Sequence, residues 1–373
     1  MREGWEVKPF ENCIERVVYS TKIQRKDFLP EGTYPIVSQE DAFVNGFWDK
    51  KEDLLAVDSP VVVFGDHTRT LKYIDFDFVL GADGVKVLKP KPFLYPRFFY
   101  YQLQTAKLDS LGYARHYRLL RELSVVYPPL PEQRRIVAVL DEAFEGIAIA
   151  KANAEKNLQN SRELFESHLN AMFSQRGEGW VNIGAVGVVF DGPHATPETV
   201  DNGPIFLGIG ALSNGKINLG ETRHVSPEDY KKWTRRVTPR SGDIVFSYET
   251  RLGQAAIIPD DLECCLGRRM GLFRGNQQRI LPSFFIYQYI SPPFQEFINT
   301  QIVRGATVDR ISIKDFPSFP IWLPSIEEQQ RIGVTSAAMS DETQRLESLY
   351  QQKLTALDEL KQSLLHQAFN GDL

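Results

Sequence analysis

Cysteine is scarce in this chain of 373 residues: there are three, of which Cys264 and Cys265 are neighbours and Cys13 stands alone. Adjacent cysteines do not readily bridge each other, and none has a ligand-spaced partner. A disulfide framework and a zinc site are therefore excluded, and a reduced, cytoplasmic protein is expected. No run of about 18 apolar residues occurs, so no membrane span is expected, and the first ten residues, MREGWEVKPF, hold no apolar signal core. The six histidines are scattered and no Walker phosphate loop is present, which argues against a metal centre and an ATPase and leaves no cofactor to assign. Excess positive charge is missing too, since the formal net charge is −5.

That deficit is uneven. Residues 127–175 carry five basic and seven acidic side chains and residues 324–373 four and eight, whereas residues 1–126 carry 18 of each and residues 176–323 carry 16 and 15. The acidity belongs to two segments, and the balanced remainder can still present basic faces to DNA. With 42% hydrophobic and 12% aromatic residues, the chain can fill the cores of two or three domains.

The two acidic segments are copies of one another. YPPLPEQRRIVAVLDEAF at 127–144 returns as LPSIEEQQRIGVTSAAM at 323–339, an offset of 196 that holds without a gap from Pro128 and Pro324 to Phe173 and Phe369. Each copy opens on proline and a Glu/Gln-rich first turn and then runs about 40 residues without an interior proline, the pattern of a long helix expected over 132–173 and 328–369. In the second copy Met339, Leu346, Tyr350, Leu354, Leu357, Leu360 and Leu364 form a heptad-like stripe. The first copy has Ala143, Ile147, Ala150, Ala154, Leu158, Ser161, Leu164, His168 and Met172 in phase. Two unequal seams, one small and one large, suggest that the helices pack on each other; His168 and His366 within them read as structural.

The segments preceding the helices repeat more loosely. REGW at 2–5 returns as GEGW at 177–180, YPIV…NGFW pairs with GPIF…NGKI at an offset of 169, SPVVVFGD with SGDIVFSY at 182, and PRFFYYQL with PSFFIYQY at 186. Each unit reads as strands, with an Asn-Gly hairpin turn at Asn45–Gly46 or Asn214–Gly215, followed by a helix. The expected fold is α+β: two similar domains in tandem, residues 1–127 and 176–323, each followed by a helical region, 128–175 and 324–373. Growing offsets mean insertions between shared elements, so the loops diverge on one scaffold, as suits two different ligands.

This order of domain, PPLPEQRRI helix, domain, PSIEEQQRI helix resembles the DNA-specificity (S) subunit of type I restriction-modification enzymes over the whole chain. The motif Pro-x-x-x-Glu-Gln-x-x-Ile carries the likeness, as Pro128, Glu132, Gln133, Ile136 and as Pro324, Glu328, Gln329, Ile332. The resemblance implies two target-recognition domains that each read half of a bipartite, asymmetric site in double-stranded DNA. It implies an antiparallel coiled coil with pseudo-twofold symmetry that sets the spacer. It also implies a non-catalytic chain, with two modification subunits as partners and restriction subunits joined through them. Glu132, Gln133, Arg135, Glu328, Gln329 and Arg331 are then both helix start and partner contact.

Base reading needs Arg, Lys, His, Asn or Gln side chains on loops, and phosphates need further basic groups. In the first domain GDHTRTLK offers His67, Thr68, Arg69 and Lys72, and GYARHYR offers Arg115, His116, Tyr117 and Arg118. In the second, FSYETRLGQ offers Tyr248, Glu249, Arg251 and Gln254, VRGATVDR offers Arg304, Thr307 and Arg310, and DGPHATP adds His194. KKWTRRVTPR places Lys231, Lys232, Arg235 and Arg236 around Trp233, a candidate for phosphate contact. Arg268 and Arg269 are either readers or ion-pair partners.

Two alternatives compete with this reading. FLGIG at 206–210 and SPPF at 291–294 imitate the cofactor turn and target-base loop of an S-adenosylmethionine-dependent adenine methyltransferase. But Gly210 runs into an Asn-Gly hairpin rather than a helix, and neither string has a counterpart in the first domain, so both read as loops. A coiled-coil scaffold binding only proteins would explain the helices but not two aromatic-rich domains with paired basic loops.

Overall fold

The computed structural model describes residues 4–18, 21–81, 84–110, 112, 114–174, 177–305 and 308–373. The chain falls into two compact units, Met1–Glu155 with Gln352–Leu373, and Lys156–Gln351, so that the division passes through both long helices.

In the first unit the run Val61–Gly65 is buried at every position. A continuous buried run led by three valines fits a central strand, and it lies between Val85–Pro90 and Leu71–Ile74, with Ile14–Glu15 at the far edge, all antiparallel. A second sheet has the order Gly46–Trp48, Tyr34–Val37, Phe78–Leu80, Leu54–Leu55, its middle pair parallel. The helix Pro96–Gln104 takes proline at its first position, as preset φ allows. It buries Phe98, Phe99, Tyr101 and Leu103 against Phe10, Phe64, Ile136 and Leu140.

The second unit repeats this plan. Gly187–Asp191, Met270–Gly275, Ile244–Ser247 and Ala255–Ile257 form the first sheet, and Arg223–His224, Val200–Leu207 and Cys264–Leu266 the second, again with one parallel pair. The equivalent helix is Pro282–Ile290. Asn214 and Gly215, at φ 47° and 84°, make the expected hairpin turn between Leu212–Ser213 and Lys216–Ile217. Asn45 and Gly46 do not: Asn45 Oδ1 accepts the Ser38 N–H at 2.8 Å, and residues 38–45 form a longer connection.

The long helices are Leu130–Ser174 and Ile326–Asn370, 45 residues each. Within the first unit Arg135 Nη2 meets the Leu373 carbonyl (2.7 Å) and Lys151 meets Asp358 (2.8 Å). Within the second, Arg162 meets Glu347 (2.6 Å) and His168 meets Ser336 (3.2 Å). As one number rises the other falls, so the helices pair antiparallel in each unit. Ile147, Ala154 and Ser161 are buried in the seam, while Leu164 (60% exposed) and Leu360 (47%) lie outside it. They stand at the same repeat position.

The glutamine of the repeated motif turns inward. Gln133 is wholly buried: its Oε1 accepts the Tyr95 N–H (2.7 Å), and its Nε2 donates to the carbonyls of Phe93 (2.9 Å) and Pro128 (2.8 Å). Gln329 does the same for the Leu281 N–H (2.8 Å) and the carbonyls of Arg279 and Pro324 (both 2.9 Å). Each glutamine ties the start of a long helix to the entry of the domain helix, Tyr95 and Leu281 being the N-caps there. Gln133 and Gln329 therefore leave the set of partner contacts. Glu132–Arg135 (2.8 Å) and Glu328–Arg331 (2.6 Å) remain as ion pairs at the surface.

Candidate nucleic-acid interface

In each domain the two loops singled out by sequence come together at the end of a central strand of the antiparallel sheet, Val61–Gly65 or Ile244–Ser247. In the first, Asp66 is the joint: its carbonyl accepts the His116 N–H (2.8 Å) and lies 2.9 Å from His116 Nδ1, and its carboxylate accepts the Tyr117 N–H (2.6 Å). In the second, the Ile311 N–H donates to the Tyr248 carbonyl (2.9 Å) and Glu249 bridges Arg310 by backbone.

Around these joints Thr68, Arg69, Arg115 and Arg118 are exposed in the first domain, as are His194, Arg251, Arg304 and Arg310 in the second. Arg69 lends one nitrogen to the Leu108 carbonyl (2.8 Å) and Arg251 one to Gly210 (3.1 Å). A guanidinium has five donors, so each keeps most of its fork. Arg69 (φ 63°), Thr250 (φ 68°) and Arg269 (φ 66°) hold left-handed backbone without being glycine, a strained state that gathers at functional sites.

Other expected readers turn away from the surface. Lys72 is buried, with Nζ donating to the carbonyls of Ser38 (2.8 Å) and Ala42 (2.5 Å) and to Asn45 Oδ1 (3.0 Å); burial lowers its pKa. His116 is buried on Asp66, and Tyr117 is half-buried, its ring edge-on to Phe10. Tyr248 is buried, its hydroxyl donating to Asp191 (2.9 Å), and burial followed by that bond raises its pKa. These four hold the loops instead of facing a groove. His67 and Gln254 are half-buried. Thr307 lies outside the described residues.

Asp191 is a residue the sequence reading missed. It accepts from His194 Nε2 (2.9 Å) as well as Tyr248, with Arg236 Nη1 at 3.9 Å. Glu249 pairs with Arg269, which settles that arginine as an ion-pair partner. The signal for Asp191 was weak, since an acidic residue at a strand end reads as a turn former, whereas Glu249, expected as a reader, is held by that ion pair. Lys231, Lys232, Arg235 and Arg236 are all exposed. They lie on and just after the short helix Pro227–Trp233, where Lys232 Nζ sits 4.9 Å from the Trp233 ring.

The imitations of enzyme motifs dissolve. After Gly208 come a single 3-10 turn, Ile209–Ala211, and a strand, with no helix to hold a cofactor. SPPF is not a loop, since Ser291 caps the helix Pro292–Thr300 and both prolines lie in its first turn. Burial raises the Cys264 and Cys265 thiols to about 12, so neither is a ready nucleophile. Among the described residues no group of His, Cys, Asp and Glu could hold a metal, and no helix is long and apolar enough to cross a membrane.

The model of the type I restriction-modification DNA specificity domain matches this chain twice, over residues 3–160 and 198–355. The chain belongs to that family. The first span takes in the first domain and most of its long helix, and the second starts inside the second domain and reaches a similar point on its own helix. The specificity subunit of the Escherichia coli type I restriction enzyme EcoBI is 22% identical over 369 residues, covering 88% of this chain and 75% of that one. The E. coli EcoR124I/EcoR124II specificity subunit is 23% identical over 344 residues, 83% and 80% of the two. Among solved structures, one described as the structural basis of complex assembly and conformational transition of the type I R-M system has a TM-score of 0.75 at 20% identity, covering 100% of this chain and 99% of that one. The HsdS subunit from Thermoanaerobacter tengcongensis has a TM-score of 0.55 at 18% identity, with 100% and 98% covered. The chain is thus a non-catalytic DNA-specificity subunit of a type I restriction-modification system, a class that works in complexes with DNA and other subunits.

Proposed function

We propose that each globular domain reads one half of a bipartite, asymmetric site in double-stranded DNA, within the functional boundaries 1–127 and 176–323, and that the chain acts in the cytoplasm. The observation that carries this is the meeting of two loops at the end of the central strand in each domain, with exposed arginines around strained backbone. Arg69, Arg115, Arg118, Arg251, Arg304 and Arg310 offer bidentate donors to guanine, with Thr68 and His194 beside them. Lys231, Lys232, Arg235 and Arg236 supply phosphate contacts.

The long helices set the unread spacer and dock two modification subunits, one for each copy of the repeat, through which restriction subunits join. The repeated exposed leucines, Leu164 and Leu360, and the surface pairs Glu132–Arg135 and Glu328–Arg331 are the surfaces offered. Equivalent surfaces on one chain suit two copies of one partner.

The test is co-expression with the modification subunit in a host lacking other DNA methylation, followed by single-molecule mapping of N6-methyladenine. A two-part motif that depends on this chain, with one part changed by exchanging residues 1–127, is expected. Methylation by the chain alone would overturn the reading in favour of a methyltransferase, and none with the partner would favour a protein scaffold. Ultracentrifugation with excess partner is expected to give two modification subunits per chain.

A further inference from the structure

We infer that residues 38–45 form a further DNA-contacting element of the first domain, with Asp41 and Phe43 facing the bases and Lys72 as the positioning residue that sets the loop. This rests on the reading that the first domain recognises a half-site.

The loop is fastened to the turn that carries Arg69. Thr68 Oγ1 donates to the Gln39 carbonyl (2.6 Å), the His67 N–H to Gln39 Oε1 (3.3 Å), and Thr70 Oγ1 to Asp41 Oδ1 (3.3 Å). Its tip, Asp41 to Phe43, is exposed at three successive residues. Phe43 remains 51% exposed although it reaches the edge of Phe76 at 5.9 Å, so the ring is braced at one side and open at the other.

The second domain shows what a purely structural solution looks like here. At the same repeat position it has a tight hairpin whose Gly215 is laddered by backbone to the next strand: the Gly215 N–H donates to Ala255 (3.2 Å) and the Ile257 N–H to Gly215 (3.0 Å). Lys72 faces Val63 across its ladder as Ala256 faces Val245, so lysine stands where the second domain has alanine. In the first domain the equally long stretch 38–45 forms no such hairpin, and the ladder is gone. The carbonyls of Ser38 and Ala42 and the Asn45 amide then converge on one ammonium, whose three N–H groups match three acceptors. A buried lysine is a costly way to hold a loop, and what it holds out is an acidic and an aromatic side chain beside the arginine turn. The chemistry complements that turn. Arginines read acceptors, while a carboxylate accepts from the amino group of cytosine, and an apolar ring packs on the thymine methyl.

The experiment uses the full chain assembled with its modification subunits and the methylation motif mapped for each variant. Asp41→Ala and Phe43→Ala are surface changes. Each is expected to weaken binding to the mapped site about tenfold and to relax bases in the first half alone. Lys72→Met, provided that the complex still assembles and methylates, is expected to relax the same bases while the second half stays intact, which a general loss of stability would not do. If the residue 1–127 exchange changes the first half but Asp41→Ala and Phe43→Ala bind within twofold with an unchanged motif, the loop is overturned and the half-site reading stands. If that exchange changes nothing, the half-site reading itself fails.

Discussion

The buried glutamines at the helix starts lend themselves to a decisive perturbation. Replacing Gln133 by Leu keeps the volume close but strips partners from the Tyr95 N–H and the carbonyls of Phe93 and Pro128. An unsatisfied buried group costs about 1–3 kcal/mol, and carbonyls recover part of that, so the local penalty is about 3 kcal/mol. At 1.4 kcal/mol per decade this is about a hundredfold. A chain of two units need not unfold in one step, so the assay is hydrogen exchange read by peptide, without any partner. Exchange in Pro96–Gln104 and the first turns of Leu130–Ser174 is expected to speed up about a hundredfold, with Pro282–Ile290 unmoved; Gln329→Leu should do the reverse. Gln133→Glu keeps the acceptor for Tyr95 but turns a carboxylate oxygen, which cannot donate, toward the carbonyls of Phe93 and Pro128, and should speed exchange at least as much as Leu. Unchanged exchange together with loss of modification-subunit binding would refute the reasoning and restore Gln133 as a partner contact.

Removing Lys231, Lys232, Arg235 and Arg236 one at a time by Ala should each lower the log–log salt slope of DNA binding by about 0.9 and leave the methylation motif unchanged; a changed motif would make them readers. Inserting one heptad into both long helices adds about 10 Å to each, and the mapped spacer should lengthen by roughly 3 bp with both half-sites intact. His168 has its pKa lowered by burial, so the folded state favours the neutral ring. Its contribution is complete above the unfolded value of about 6.5 and is lost as pH falls through the folded one. Thermal melts from pH 7.5 to 5 should therefore show wild type losing more stability than His168→Gln, and parallel curves would count against it.

The scaffold was legible because repetition left its elements in register. The prolines at 128 and 324 and the gap-free offset of 196 place both long helices to within a few residues of Leu130–Ser174 and Ile326–Asn370. What escaped was direction. Lys72 lies in LKYI, where period-two alternation puts it on the face of buried Ile74 and not with half-buried Leu71 and Tyr73. Composition marked it as a reader, while strand geometry, applied strictly, turns it inward. Asn45-Gly46 looked like Asn214-Gly215, but a dipeptide does not show whether its amide will cap Ser38 and receive a lysine. The stripe failed at Leu164 and Leu360 because in a strict heptad frame they fit as well as their neighbours, and only the partner helix decides which leucine is covered.

The offsets also locate where the two domains part company. Between the Asn-Gly pair and the central buried strand the second domain is longer by thirteen residues, the step from 169 to 182. That stretch holds the helix Pro227–Trp233 with Lys231 and Lys232 on its last turn. A further ten residues enter between the domain helix and the long helix, the step from 186 to 196, where Pro292–Thr300 lies. The basic cluster proposed for phosphate contact is therefore an addition to the scaffold with no counterpart among the described residues of the first domain, whereas the joined loops at the end of the central strand are common to both. Over the equally long stretch before its Asn-Gly pair the first domain has instead an open loop held by Lys72. If backbone contact and base contact are divided in this way, the second domain supplies more of the salt-dependent affinity. The first then relies more on its base-facing loops, and its half-site should tolerate fewer mismatches at high salt.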